Sequence, residues 1–203
     1  ISEEYIGTQM SRRQRGYGRG GRMEIERDWA HIVSGVRHGF TLGSPISMTI
    51  ENRDWPNWTK EMSVAPVDGN VSRITRLRPG HADLPGTMKY GFDDVRNVLE
   101  RASARETAAR VAAGAIARRL LEEFDVNIHS HSLSIGNVKA HAKDPIDWDS
   151  VEASPVRTAD PGAEIQMMSA IDSAKSAGDT IGGIIEVIVD GLPIGLGSHV
   201  QWD

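Results

Sequence analysis

The sequence predicts an α+β fold, with helices packed on antiparallel sheets, and three observations carry that reading. Residues 24–54 alternate apolar and polar side chains between glycine turns. Residues 104–124 repeat apolar positions at helical spacing, and strand, helix and strand patterns then follow to residue 193. With 203 residues the chain can bury a real core, as one domain or a large part of one. It begins at Ile1 rather than Met and stops at Asp203, just after "GGIIEVIVDGLPIGLG". Residues 1–203 are therefore expected to form a single domain that is part of a larger one, incomplete here.

In chain order, "MEIERDWAHIVSGVRHG" and "GSPISMTIENRDW" read as an antiparallel pair with turn signals at Gly39 and Gly43. Residues 55–77 lack periodicity and hold two prolines and a glycine, which predicts an irregular loop. "RPGHADLPGTMKYG", residues 78–91, has two Pro-Gly steps and is expected to be a structured turn. Ser103 followed by Glu106 is a capping box, so Ser103 is the expected N-cap of a helix over 104–124. Its apolar stripe is Ala109, Ala113, Ile116, Leu120 and Phe124. The bare surface around Gly114 admits a close neighbour, and the helix is expected to be buried.

"VNIHSHSLSIGNV", residues 126–138, alternates as a strand with His129 and His131 on one face. "KDPIDWDSVEASPVRTADPG" is acidic and proline-bearing, hence expected to be exposed. Residues 163–178 read as a second helix closed by Gly178. The β-branched "IGGIIEVIVDGLP" completes the pattern as a buried strand.

Cysteine is absent, which excludes disulfides, thiolate metal sites and cysteine nucleophiles. No apolar run approaches the ~18–20 residues of a membrane span. The motifs for a serine nucleophile elbow, a triphosphate-binding loop and a strand–glycine–helix dinucleotide site are also missing. The net charge is −5, yet "RRQRGYGRGGRM", residues 12–23, holds five arginines, four glycines and no acid. Arginine forks match phosphate or carboxylate bidentately. Glycines let the backbone approach a ligand closely. A single basic island on an acidic chain points to a local anion site, whereas nucleic-acid modules spread their charge over a face. An arginine–glycine segment that binds RNA remains the alternative, and it predicts steeply salt-dependent affinity.

Arg101, Ser103 and Arg105 surround the start of the capped helix, where unpaired N–H groups and the helix dipole favour phosphate. His81, between Arg78 and Asp83 in a Pro-Gly loop, could move protons near neutral pH or be an ordinary loop histidine. His129 and His131 lack a third ligand at suitable spacing, so no metal site is expected. From the residues alone, a phosphorylated ligand follows without a named reaction.

Three blocks, "RRQRGYGRGGRMEIERD", "SGVRHGFTLGSPISMTIENRDW" and "RPGHADLPGTMKYGFDDVRNVLERASARETAARVAAGAIARRLL", stand in order and together resemble chorismate synthase. "AKSAGDTIGGIIEVIVDGLPIGLG" is similar to that family's next block. The resemblance implies antiparallel sheets sandwiching helices, a homotetramer, and a cytoplasmic location in a bacterium. It also implies a lyase of the shikimate pathway that depends on reduced FMN. The family converts 5-enolpyruvylshikimate 3-phosphate to chorismate by a 1,4-anti elimination, with no net oxidation.

Position by position, the resemblance places Arg13 and Arg19 against the phosphorylated substrate, or NADPH in self-reducing members. It places Arg101, Ala102 and Ser103 on FMN, and His81 beside the flavin as the proton-handling residue. Arg12, Arg15 and Arg105 are neighbours. No nucleic-acid or membrane partner is implied. The family's N-terminal G-E-S-H-G block and its C-terminal half have no counterpart in these residues. A polypeptide of these 203 residues alone is therefore expected to be inactive, or only to oligomerise.

Overall fold

The computed structural model describes residues 1–19, 28–99, 102 and 104–196. Helices and small antiparallel sheets alternate as expected for an α+β chain. Two compact units result, one from residues 1–11 and 26–115, the other from 12–25 and 116–203.

In the first unit, helix α1 (Glu3–Gln14, passing into the second unit after Ser11) has Glu3 and Glu4 in its first turn and Arg12 and Arg13 in its last. Both placements suit the helix dipole. The Ser2 hydroxyl accepts from the Tyr5 N–H at 3.2 Å, as an N-cap does. Ile6 and Met10 are fully buried. The expected hairpin forms as β1 (Ala30–Ser34) against β4 (Ser47–Ile50), antiparallel with Ala30 opposite Ile50. Between them β2 (Val36–Arg37) and β3 (Phe40–Thr41) make a tight ribbon whose turn residues His38 and Gly39 both have positive φ. The Glu3 carboxylate accepts from the Ile32 N–H at 2.8 Å, tying α1 to β1.

The 55–77 segment is irregular apart from one short 3-10 turn at Trp55–Asn57. Residues 78–91 depart from expectation, because the second Pro-Gly step lies inside helix α2 (Asp83–Tyr90). Pro85 falls in the first turn, where its missing N–H costs nothing, and Gly86 lies against Val98. Gly91, left-handed at φ 65°, ends the helix. A short helix α3 (Arg96–Leu99) follows.

Helix α4 (Ala104–Glu122) is the long helix expected here. Its buried stripe is Ala108, Ala112 and Ala115, however, while Ala109, Ala113, Leu120 and Phe124 are exposed. Helical spacing fits either stripe, and the smaller one is buried. Nothing among the described residues approaches Gly114.

In the second unit, β5 (Asn127–Ile135) is the centre of an antiparallel sheet ordered β6 (Val138–Lys139), β5, β7 (Gly183–Asp190). The 143–162 segment is less exposed than expected. It folds into α5 (Trp148–Ala153), capped by the Asp147 carboxylate, and buries Val151, Val156 and Thr158. Helix α6 (Pro161–Ala177) begins with the Asp160 cap and Pro161 and ends at left-handed Gly178. Its Ala163 and Met167 form a core cluster with Val156. Strand β7 was expected to be buried, but Ile184, Ile185, Val187 and Val189 are exposed. As the outer strand it pairs only with β5 among the described residues.

A Cβ at Gly86 would stand 2.5 Å from Val98 Cγ1, whereas one at Gly114 would meet nothing. Gly86→Ala is expected to destabilise this chain by about 1–3 kcal/mol. Gly114→Ala should stabilise it by about 0.5–1 kcal/mol through helix propensity. Thermal melts of the two variants check the opposite signs.

Candidate functional site

The arginine segment starts as helix and continues as a fastened loop. Arg12 and Arg13 are the last basic residues of α1, not part of a loop, and the chain leaves the helix after Gln14. Arg12 makes a bidentate pair with Glu152 of α5, Nε to Oε2 at 2.9 Å and Nη2 to Oε1 at 2.5 Å. Arg157 donates to the same carboxylate at 2.9 Å and to the Ser130 carbonyl of β5, also at 2.9 Å. Arg157 foremost, with Arg12, holds the Glu152 carboxyl down at about 2 against the opposing effect of burial.

Three further contacts fasten the loop. The Tyr17 N–H donates to the Pro155 carbonyl at 3.1 Å, and the Tyr17 hydroxyl to Asp172 of α6 at 2.7 Å. Arg19 Nη1 donates to the Arg13 carbonyl at 2.5 Å. Gly18, at φ 75°, lies so close to α6 that a Cβ would reach within 2.4 Å of Ile171. Arg13 and Arg19 are thus brought together on a braced turn. Arg12, Arg15, Arg157 and Glu152 line a cleft of about 20 Å³, near the size of a single water.

His81 lies in the first unit within a compact cluster. Pro79 and Gly80, the latter at φ 67°, form a turn that brings the His81 N–H to the Arg78 carbonyl at 3.4 Å. Pro at the second position and a positive-φ glycine at the third mark a type II turn. Asp83 opens α2 with its side chain fully buried and accepts three bonds from Arg78. They come from the backbone N–H at 2.8 Å, Nε at 3.0 Å and Nη2 at 2.7 Å. These bonds hold its carboxyl down at about 2, although burial opposes. His81 Nδ1 lies 3.1 Å from Arg78 Nη2 and 3.4 Å from Asp83 Oδ1. The His81 side chain is 37% exposed.

Ala102 is half-buried, in the turn between α3 and α4. Arg22, Arg101 and Ser103 lie outside the described residues, so the expected capping box does too; so does the Arg105 side chain. His129 stacks on Trp148 at 4.4 Å, and His131 is buried edge-on to the same ring with Nε2 2.8 Å from Glu186. Both serve as packing and cross-strand contacts, as expected.

Arg13 and Arg19 belong to one unit, and His81 and Ala102 to the other. Glu152, Asp172 and Arg157 were missed by sequence reasoning. Their segments carry no local motif, and 143–162 reads as a solvated acidic stretch.

Glu152 and Asp83 both have folded values near 2, below their ordinary 4.5 and 3.8. Across that interval the unfolded chain binds more protons, so stability rises with pH. Their contribution is expected to be present above about pH 4.5 and lost as the pH falls toward about 2. Denaturant midpoints across this range check it, and Glu152→Gln should flatten the acid limb.

The family profile "Chorismate synthase" matches residues 1–203. The chorismate synthase of Geobacillus sp. (strain WCH70) is 55% identical over 98% of this chain and 53% of its own length. That of Enterococcus faecalis (strain ATCC 700802 / V583) is 51% identical over 100% of the chain and 54% of its own. A solved structure titled "Crystal Structure of Chorismate Synthase" superposes with a TM-score of 0.75 at 39% identity. It matches 100% of this chain and 53% of that one. The chain spans about half the length of the curated relatives it matches. A profile match along all 203 residues, in agreement with sequence identity and backbone likeness, places the chain in the chorismate synthase family.

Proposed function

We propose that the full polypeptide containing this chain converts 5-enolpyruvylshikimate 3-phosphate to chorismate and phosphate by 1,4-anti elimination. The observation that carries the reading is the braced arginine turn. Arg19 holds the Arg13 carbonyl while Tyr17 and Arg12 are tied to Asp172 and Glu152. A phosphorylated ligand needs guanidinium groups that are already oriented, since ordering free arginines on binding costs affinity. An arginine–glycine tail for RNA would have no need of these ties.

In this reading Arg13 and Arg19 bind and orient the substrate phosphate and stabilise its charge as it leaves. Reduced FMN, when bound, supplies an electron to the substrate and takes it back. The residues present fit such a group. His81 Nε2 has no partner among the described residues and its ring is partly open, so one polar ring position faces outward. Half-buried Ala102 sits just before the 19-residue helix α4, whose first N–H groups favour a phosphate. Arg101 and Ser103 join it in this role, and His81 holds a proton beside the flavin.

NADPH, where it is the reductant, meets the same arginines. The assembly is a cytoplasmic homotetramer in this reading; among the described residues no helix is long and apolar enough to cross a membrane.

The test is anaerobic, with reduced FMN and the phosphorylated enol ether, measuring chorismate and phosphate. The full polypeptide should turn over, while residues 1–203 alone should not. In the full polypeptide His81→Ala is expected to cost about 10²-fold or more in turnover. Arg13→Ala should lower kcat/KM by about tenfold or more, the value of a charge-assisted contact. Unchanged rates reject these roles.

A further inference from the structure

We propose that Arg78 is a positioning residue that holds His81 as its Nε2–H tautomer, with Asp83 as the fixed point for Arg78. The role in the reaction rests on the proposed function above; the tautomer does not.

A guanidinium carries five N–H groups and no lone pair, so anything hydrogen-bonded to it must accept. Arg78 Nη2 has two hydrogens and two neighbours in range, Asp83 Oδ1 at 2.7 Å and His81 Nδ1 at 3.1 Å. One hydrogen goes to each. His81 Nδ1 therefore presents its lone pair, and the single proton of the neutral ring sits on Nε2. Turning the ring over would point a C–H at the guanidinium and forfeit the bond.

The guanidinium cannot swing away to relieve this choice. The Arg78 main-chain N–H and the guanidinium Nε both donate to Asp83 Oδ2, and Asp83 is fully buried at the start of α2. The Pro79–Gly80 turn then folds His81 back over Arg78. A proton on Nδ1 would have to face Asp83 Oδ1, 3.4 Å away, and would meet the Nη2–H donor head on.

The consequence is chemical direction. The outward ring nitrogen, without a partner among the described residues, is a donor and not a base. His81 is thus set to give a hydrogen bond to an electron-rich group on its open side. It is not set to abstract a proton there.

The test is a ¹⁵N-histidine NMR spectrum of the full polypeptide at a pH where His81 is neutral, assigned by the signal lost in His81→Gln. The expected result is a protonated Nε2 and an unprotonated Nδ1, biased about tenfold or more as a charge-assisted bond allows. A neutral ring protonated at Nδ1, or an even mixture, overturns the proposal. Arg78→Met should shift the population toward Nδ1–H, now free to donate to Asp83, while Arg78→Lys should retain most of the bias.

Should Arg78→Met fail to fold, the wild-type spectrum still decides. A purely structural arginine would leave the tautomer ratio of a folded variant unchanged. The reading of His81 as the proton-handling residue fails separately, by unchanged turnover in His81→Ala, and leaves the tautomer result standing.

Discussion

Carboxylates that gather several N–H groups from arginine hold both candidate elements in place. Arginine has five donors and no acceptor, so a turn containing it needs an acceptor of matching geometry or the side chain drifts into water. Glu152 takes a bidentate pair from Arg12 and a further bond from Arg157. Asp83 takes three from Arg78 alone. The two differ in setting. Asp83 is fully buried and cannot be left unpaired without the cost of a naked charge. Glu152 is 41% exposed, so solvent screens much of its Coulomb attraction and its main contribution is direction.

Much of the fold was legible wherever local chemistry decides it. The Gly178 end of α6 follows from a capping rule that acts over a few residues, while its Asp160–Pro161 start lay inside the stretch read as exposed. The pairing of β1 with β4 follows from alternation and glycine turns. What failed depends on neighbours distant in sequence. The stripe Ala109–Ala113–Leu120 and the stripe Ala108–Ala112–Ala115 share one periodicity, and only packing chooses between them. An apolar strand such as β7 reads as core whether or not anything covers it. The Pro85–Gly86 step resembles a turn, yet proline is also at home in a first helical turn.

The candidate site was legible as chemistry but not as geometry. Five arginines among four glycines announce an anion site, and a histidine between an arginine and an aspartate announces proton chemistry. The residues that brace the arginine turn could not be found this way. Glu152 lies 140 residues from Arg12, and Asp172 lies 155 residues from Tyr17. Asp83 was visible beside His81, but its burial and its triple hold on Arg78 belong to the folded chain alone. That hold turns an ordinary loop histidine into one with a chosen protonation site.

Strand β7 lies at the edge of its sheet, with β5 alone beside it among the described residues. Its outer edge pairs with nothing among the described residues, and it is eight residues long and mostly β-branched. Natural edges of this kind rely on charged gatekeepers to discourage further strands from adding. Of the two charges of β7, Asp190 stands at the strand's end, and the mid-strand gatekeeper, Glu186, is turned toward His131 at 2.8 Å. The gatekeeper is therefore occupied on the β5 side of the ribbon. A further strand of matching register, from whatever source, would complete the ladder that β6 and β5 begin.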